Sequence, residues 1–240
     1  MCGRYVLTTP GEVLAQIFEV SPDRVAAAAA GSVPRYNVSP TQQVPIVRNT
    51  SDGPRELAMV TWGLVPHWAK DPAIGNKLIN ARSETAAEKP SFRDAMKRRR
   101  CLLPADAFYE WKKLGKGKQP FLLRMRDAKT FAFAGLWSQW KNPEGGVVLE
   151  SCAILTTTPN ELAAKVHDRM PVILSPTQQG RWLDPAANRS TFTELFFPFP
   201  ADQMEAFPVS PRVNRPANDG PENLEPVAVG EPNEAPAVSM

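Results

Sequence analysis

Eight short apolar runs, separated by glycine and proline turns, constrain the fold of this chain more than any other feature. They cover residues 44–47, 56–62, 101–103, 108–112, 121–125, 131–137, 147–155 and 172–174. Runs of this length that are bounded by turn residues are typical of β-strands. Helical patterns do not alternate regularly with them, which disfavours a doubly wound parallel sheet. The sequence therefore predicts an α+β fold with one mainly antiparallel, barrel-like, β-rich domain.

Short capped helices are expected between these strands. Residues 9–12, 158–161 and 175–178 each combine a Ser or Thr, a proline at the first helical position and a Glu or Gln at the third. This is the pattern of a capping box. It predicts helices from about residue 11 to 20, over residues 162–166 and around residues 182–183. Ser91 and Asp94 predict the start of a basic helix that continues through Arg99.

The charge distribution divides the chain into a basic body and an acidic tail. At 240 residues the chain can form one domain with a full core, and no repeat or linker divides residues 2–215. Residues 216–240 contain five acidic residues and five prolines but no lysine or arginine. We expect this acidic, proline-rich tail to be disordered, because it has too little apolar surface to order itself. The basic runs at 97–100 and 112–118 are either solvated surface charge or contacts to a phosphate backbone.

Cysteine and histidine are too few and too widely spaced for a structural metal site. The three cysteines form no Cys-x-x-Cys pair, and the two histidines lie far apart, so no metal or other cofactor is expected. The odd cysteine count and the lack of a charged-then-apolar leader favour a reducing, cytoplasmic location. No apolar run approaches the ~20 residues of a membrane helix. We expect a monomeric, soluble protein with no membrane partner.

Cys2 directly follows the initiator Met1. If Met1 is removed, Cys2 carries a thiol and a free α-amine on adjacent carbons, and both have reactive fractions at neutral pH. An N-terminal amine can serve as the base for its own side-chain nucleophile. The pair also has a reaction that no internal cysteine has: the amine condenses with an aldehyde to an imine, and the thiol then closes a thiazolidine ring. The alternative is an incidental cysteine at a frayed terminus.

Polar residues within or beside apolar segments are candidates for acid–base chemistry. Glu110 lies within an aromatic strand, and Asn80 follows an apolar pair. A carboxyl group in an apolar pocket has a raised pKa and can exchange protons near neutral pH. The equally weighted alternative places Glu110 on the exposed face of an amphipathic strand. His167 follows the helix predicted over residues 162–166 and has charged neighbours, which makes it an acid–base candidate, although a lone histidine is more often structural.

Aromatic and basic residues indicate a surface for single-stranded nucleic acid. Trp68 lies past a glycine and proline turn, where an exposed ring can stack on an unpaired base. Arg4, Arg82 and Arg169 supply cations that a phosphate backbone requires.

Eight sequence blocks, taken in order, resemble the motif series of the SOS-response-associated peptidase (SRAP) family. They are MCGRY, RYNVSP, WGLVPHW, NARSET, RCLLPADAFYEW, ILTTTPN, HDRMPVIL and PVSPRVN, and together they cover residues 2 to about 215. The resemblance implies a compact, β-rich α+β domain that senses abasic sites in single-stranded DNA during the DNA damage response. It also implies a thiazolidine crosslink between the N-terminal cysteine and the ring-opened sugar aldehyde. A peptidase-like hydrolase activity would expose that cysteine, and a lyase activity could accompany it.

The resemblance assigns roles by motif. The catalytic residues are Cys2 as nucleophile, Asn80 holding the terminus, Glu110 as the family's glutamate and His167 as its histidine. The residues in blocks that line the DNA groove are Arg4, Asn37, Trp68, Arg82 and Arg169. Some bacterial relatives have a second aromatic after Trp68, where this chain has Ala69, and this departure leaves the extent of base stacking open.

The resemblance further implies single-stranded DNA with abasic sites as the partner, with the protein on the nucleoid when bound. One alternative is a self-processing cysteine peptidase, with Cys2 as nucleophile, His167 as base and Asn80 as oxyanion donor. The other is a non-covalent nucleic-acid-binding module in which Cys2 is idle.

Overall fold

The structure is a computed structural model that describes residues 2–30, 34–187 and 192–228. Within these ranges the strands are β1 Tyr5–Leu7, β2 Arg35–Val38, β3 Gln43–Asn49, β4 Arg55–Trp62, β5 Asn80–Arg82, β6 Arg100–Ala105, β7 Ala107–Leu114, β8 Gly117–Met125, β9 Phe131–Lys141, β10 Val148–Thr157, β11 Met170–Pro171, β12 Ile173–Leu174 and β13 Met204–Pro208. The α-helices are α1 Gly11–Ile17, α2 Ala27–Ala30, α3 Arg93–Arg98 and α4 Pro176–Leu183. Each of the eight predicted apolar runs overlaps one of these strands.

Five strands close a barrel. They pair in the order β10-β4-β3-β6-β9, and β9 pairs with β10 to complete the ring. Among the described strands, β10 makes parallel pairs with β4 and β5, and the other ladders are antiparallel. Side chains fill the interior so closely that a Cβ at Gly135 would overlap Leu103 Cδ1 and Cys101 Sγ. The prediction of a mainly antiparallel, barrel-like α+β fold is confirmed.

A second, five-stranded antiparallel sheet packs against the barrel and carries the N-terminus. Its order is β13-β8-β7-β1-β2. Tyr5 on β1 is fully buried, and its ring meets Trp62 and Phe133 of the barrel edge-on, with ring centroids 5.4 and 6.0 Å apart. Aromatic pairs in this geometry stabilise a core beyond their buried area. The contact fixes β1, and hence the chain before it, between the two sheets.

The predicted helix caps have different outcomes. The capping box at Ser175 is present at the start of α4, where Gln178 Oε1 accepts from the Ser175 backbone N–H at 2.9 Å. The box expected at Thr9 is wrong, because the Thr9 hydroxyl bonds Asp106 Oδ1 at 2.8 Å instead of capping α1. The start of α3 likewise has no side-chain cap from Ser91.

The helix predicted over residues 162–166 is a short 3₁₀ turn, Ala163–Lys165. Its first turn is capped by Asn160, whose Oδ1 accepts from the Ala163 backbone N–H at 2.8 Å. Among the described residues, no helix has the length and apolar character needed to cross a membrane.

The chain after Arg215 packs against the five-stranded sheet as far as residue 228, which differs from the expectation of a disordered tail. A 3₁₀ turn, Pro221–Leu224, places Asn223 in a fully buried position. The Val227 backbone N–H donates to the Pro208 carbonyl at 2.9 Å. Backbone and side-chain hydrogen bonds thus order a segment whose apolar content is low. The rest of the predicted tail, residues 229–240, lies outside the described residues.

Candidate functional site

The N-terminal segment is held between the two sheets. It extends β1 along β7, where the Tyr109 backbone N–H donates to the Arg4 carbonyl at 3.0 Å. From the opposite side Asn80, the first residue of β5, donates its Nδ2 to the Cys2 carbonyl at 2.7 Å. Cys2 itself is fully buried. This contact is the kind that the predicted role of Asn80, holding the terminus, requires.

The environment of the Cys2 thiol keeps it protonated. Burial strongly raises its pKa, and the nearby carboxyl group of Glu110 raises it further. Its contact with the Arg4 carbonyl is long, at 3.9 Å. A thiol is nucleophilic as the thiolate, so this one needs a base at the moment of reaction.

Glu110 is the carboxyl group that acts electrostatically on the Cys2 thiol. Its side chain lies in β7 and is only 3% exposed, which decides against the exposed-face alternative. Burial raises the pKa of Glu110, and nearby His167 opposes that shift. Glu110 acts electrostatically on Cys2, and His167 acts on Glu110, so the three residues belong to one site. A carboxyl group with a raised pKa both donates and accepts protons near neutral pH.

His167 has two partners that compete for one nitrogen. The Arg169 backbone N–H donates to Nδ1 at 3.0 Å, which requires Nδ1 to be unprotonated. Asp168 Oδ1 lies 2.9 Å from the same nitrogen and can accept from it only when Nδ1 carries a proton. In the neutral ring bonded to Arg169, the proton therefore resides on Nε2.

Asn37 and Arg4, two of the predicted DNA-groove residues, bond each other and other parts of the protein. Asn37 is fully buried, and its Oδ1 accepts from Arg4 Nη1 at 2.9 Å. Its Nδ2 has two hydrogens, which it shares among the carbonyls of Val213, Arg215 and Asn218. Asn37 fastens the C-terminal segment to the N-terminal strand, and its place in the DNA groove stays a prediction.

Arg169 and Arg82 differ in whether the protein itself occupies their charge. Arg169 forms a bidentate pair with Glu84, at 2.5 and 2.9 Å, and also donates to the Thr156 carbonyl at 2.7 Å. This pairing holds the pKa of Glu84 below its usual range. By contrast, Arg82 is exposed. Of the two, Arg82 is the one available to a phosphate.

Trp68 is available for stacking. Its side chain belongs to the exposed large hydrophobic residues, at 49%, and its Nε1 donates to the Pro90 carbonyl at 3.3 Å. The hydrogen bond fixes one edge of the ring and leaves its face to solvent. The next residue, Ala69, is buried and accepts a hydrogen bond from Trp140 through its carbonyl.

Sequence reasoning missed two contributions to the site. Glu84 neutralises Arg169, and its position two residues after Arg82 in the NARSE block was the available signal. The C-terminal segment reaches Arg4 through Val213, whose carbonyl accepts from Arg4 Nη1 at 2.8 Å. No local pattern predicts that contact, since the two residues are far apart in sequence.

A family model described as SOS response associated peptidase (SRAP) matches residues 1–216 of the chain. The chain belongs to this family. The chain is 44% identical over 227 residues to the abasic site processing protein YoqW of Bacillus subtilis (strain 168), covering 94% of this chain and 99% of that protein. It is 32% identical over 236 residues to the abasic site processing protein HMCES of Gallus gallus, with 86% and 70% covered. The resemblance inferred from the eight blocks is confirmed.

The SRAP fold has also been seen in solved structures. A crystal structure of a protein from Bacteroides thetaiotaomicron matches this chain with a TM-score of 0.85 at 26% identity, covering 94% of this chain and 100% of that one.

Proposed function

We propose that this SRAP protein captures abasic sites in single-stranded DNA through a thiazolidine formed by Cys2 after Met1 is removed, and so protects the lesion during the DNA damage response. The observation that carries the proposal is the fully buried Cys2, held by Asn80 beside the buried Glu110. The names of the curated relatives, abasic site processing proteins, support the choice of substrate. The proposal includes a monomeric cytoplasmic protein, nucleoid-associated when bound, that needs no metal or cofactor.

The first step is condensation of the Cys2 α-amine with the C1′ aldehyde of the ring-opened sugar. It gives a carbinolamine, and Glu110 in its neutral form donates a proton to the leaving hydroxyl. Water departs and a protonated imine remains. The raised pKa of Glu110 supports this role, because it keeps the carboxyl group neutral to a higher pH than usual.

The second step is ring closure by the Cys2 thiol. The carboxylate left on Glu110 accepts the thiol proton, and the sulfur attacks the imine carbon, so that Glu110 ends as it began. The net change is the joining of protein and DNA with loss of one water. His167, next to Glu110, would assist opening of the closed sugar or the reverse reaction. In this proposal Arg82 contacts phosphate and Trp68 stacks on a base, while Arg4 and Arg169 shape the groove.

The peptidase alternative is less well supported by the geometry. Removal of Met1 would develop an oxyanion on the Met1 carbonyl, whereas Asn80 donates to the carbonyl of Cys2, one residue further along. An oxyanion donor must point to the atom where the charge develops.

A domain of residues 2–215 remains the proposed catalytic and DNA-binding unit, with the ordered segment to residue 228 as its support.

Intact-mass spectrometry with an abasic oligonucleotide tests the proposal. The protein lacking Met1 should gain the mass of the DNA less one water, and the adduct should survive denaturation without reductant. Cys2→Ala should form at most an imine that borohydride traps. Cys101→Ala, which removes a buried cysteine elsewhere in the core, is the matched control and should crosslink normally. An equally stable adduct from protein that keeps a residue before Cys2 would refute the thiazolidine, since an amide nitrogen cannot condense with an aldehyde.

A further inference from the structure

The hairpin formed by β7 and β8 carries positive charge that the protein itself does not neutralise. Beyond Glu110, β7 continues through Lys112 and Lys113, and the turn and the start of β8 add Lys116 and Lys118. The last three are exposed, and Lys112 is half-buried. Within the described part of the chain, none of the four forms an ion pair with a carboxylate. The hairpin is therefore a concentrated cationic surface.

The register of the hairpin makes this charge costly. Lys113 lies directly opposite Lys118 in the antiparallel ladder. Like charges in directly opposed positions destabilise a strand pair. Lys129, at the far end of β8, shows the usual arrangement, with Asp127 3.0 Å from its Nζ. An anionic partner from outside the chain would relieve the repulsion between Lys113 and Lys118.

The hairpin adjoins the site, because β7 carries Glu110 and then the first lysines of the hairpin. Side chains alternate along a strand, so Lys112 shares a face with Glu110 and lies about 7 Å further along β7. The other face of the same strand is covered, because Trp111 Nε1 donates to Asn214 Oδ1 at 2.7 Å. A DNA strand that presents a lesion to Glu110 would therefore pass Lys112 next. Lys113 and Lys118 lie on that other face, but past the part covered at Trp111. They are exposed there, and with Lys116 they extend the positive charge of the hairpin at its tip.

The two sheets approach Cys2 from different sides. The hairpin belongs to the five-stranded sheet, whereas Asn80 and Arg82 belong to β5, which pairs with β10 of the barrel. We propose that the lysine hairpin, defined by Lys112, Lys113, Lys116 and Lys118, binds the phosphate backbone of the captured strand on one side of the lesion only. This inference rests on the proposed function and adds a second, separate stretch of DNA to its footprint.

The test uses the facing lysine pair and a control at the other end of the same strand. Lys113→Gln/Lys118→Gln removes two positive charges from the hairpin. Arg126→Gln/Lys129→Gln removes two from exposed residues just beyond the other end of β8, which at nine residues is about 30 Å long. The probes are single strands with a tetrahydrofuran abasic analogue, which lacks the aldehyde. One series is lengthened only 5′ of the lesion and the other only 3′.

Anisotropy titrations over a range of salt concentrations should separate the two variants. For one series the hairpin variant should bind several-fold more weakly than wild type, and its slope of log K against log salt should fall by about 1.4, at ~0.7 per lost phosphate contact. The other series should be unchanged, as should the control variant in both. The melting temperature of the hairpin variant should equal or exceed that of wild type, because a repulsion is removed. Equal losses in both series, or no loss in either, would overturn the inference.

A crosslinking measurement keeps this inference distinct from the proposed function. With an aldehyde-bearing abasic oligonucleotide too short to reach the hairpin, wild type and the hairpin variant should form adduct at the same rate. If wild type formed no adduct with any abasic DNA, the proposed function would fail. The analogue titrations would still decide whether the lysine hairpin binds a backbone.

Discussion

Asn37 joins three distant parts of the chain, and its removal should destabilise the protein strongly. The side-chain partners are Arg4 Nη1 at 2.9 Å and the carbonyls of Val213, Arg215 and Asn218 at 3.2, 3.0 and 2.7 Å. Asn37→Ala removes the oxygen that accepts from Arg4 and both amide hydrogens, so about three hydrogen bonds are lost at a fully buried position. Each is worth about 1 kcal/mol net, and a buried group left unpaired costs about 1–3 kcal/mol. We expect the free energy of unfolding to fall by about 3–5 kcal/mol, given that the C-terminal segment relaxes in part.

Thermal and urea denaturation followed by circular dichroism measure this effect. A loss of that size lowers the melting temperature by roughly 6–20 °C in a domain of this length. Asn49→Ala is the matched control, because Asn49 Nδ2 makes one bond, to the Leu183 carbonyl at 3.1 Å, and should cost about 1 kcal/mol. A variant at Asn37 that melts like wild type but binds DNA poorly would refute this reasoning. It would favour the place in the DNA groove that the family resemblance implies for Asn37.

Three further predictions concern the site. Glu110→Gln should slow crosslinking by about 10²–10⁴-fold with near-normal DNA affinity, because the amide keeps the shape of the side chain but cannot transfer the proton. Rapid-quench gels measure the rate, and a variant that crosslinks at the wild-type rate would remove Glu110 from the mechanism. The raised pKa of Glu110 also means that wild type loses stability as pH rises from the usual glutamate range through the folded-state pKa. The difference in melting temperature, Glu110→Gln minus wild type, should therefore be more positive at pH 8 than at pH 4. The opposite trend would contradict burial as the cause of the raised pKa. Arg82→Ala should lower the salt slope for ordinary single-stranded DNA by about 0.7, while an unchanged slope would make Arg82 structural.

Much of the fold was predictable because its signals are local. Apolar runs bounded by turns mark strands wherever they pair, so all eight runs overlap strands of the structure. Short polar strands such as β2 and β5 were missed, since their pairing comes from the sheet and not from their own residues. The caps show the same limit. Ser175 caps its helix through the residue three positions on, whereas Thr9 is drawn away by Asp106, which lies far along the chain.

The residue types that carry the chemistry of the site are evident from the sequence, but their arrangement in space is not. A cysteine behind Met1 and a carboxylate inside an aromatic strand identify reactive groups by residue type alone. Only the tertiary structure buries Glu110 and the Cys2 thiol together, which raises both pKa values. It also assigns the arginines, because Glu84 occupies Arg169 and leaves Arg82 exposed. Desolvation and ion pairing depend on which distant residues surround a group, so they are decided when the sheets close around the N-terminus and not by the residues on either side of it.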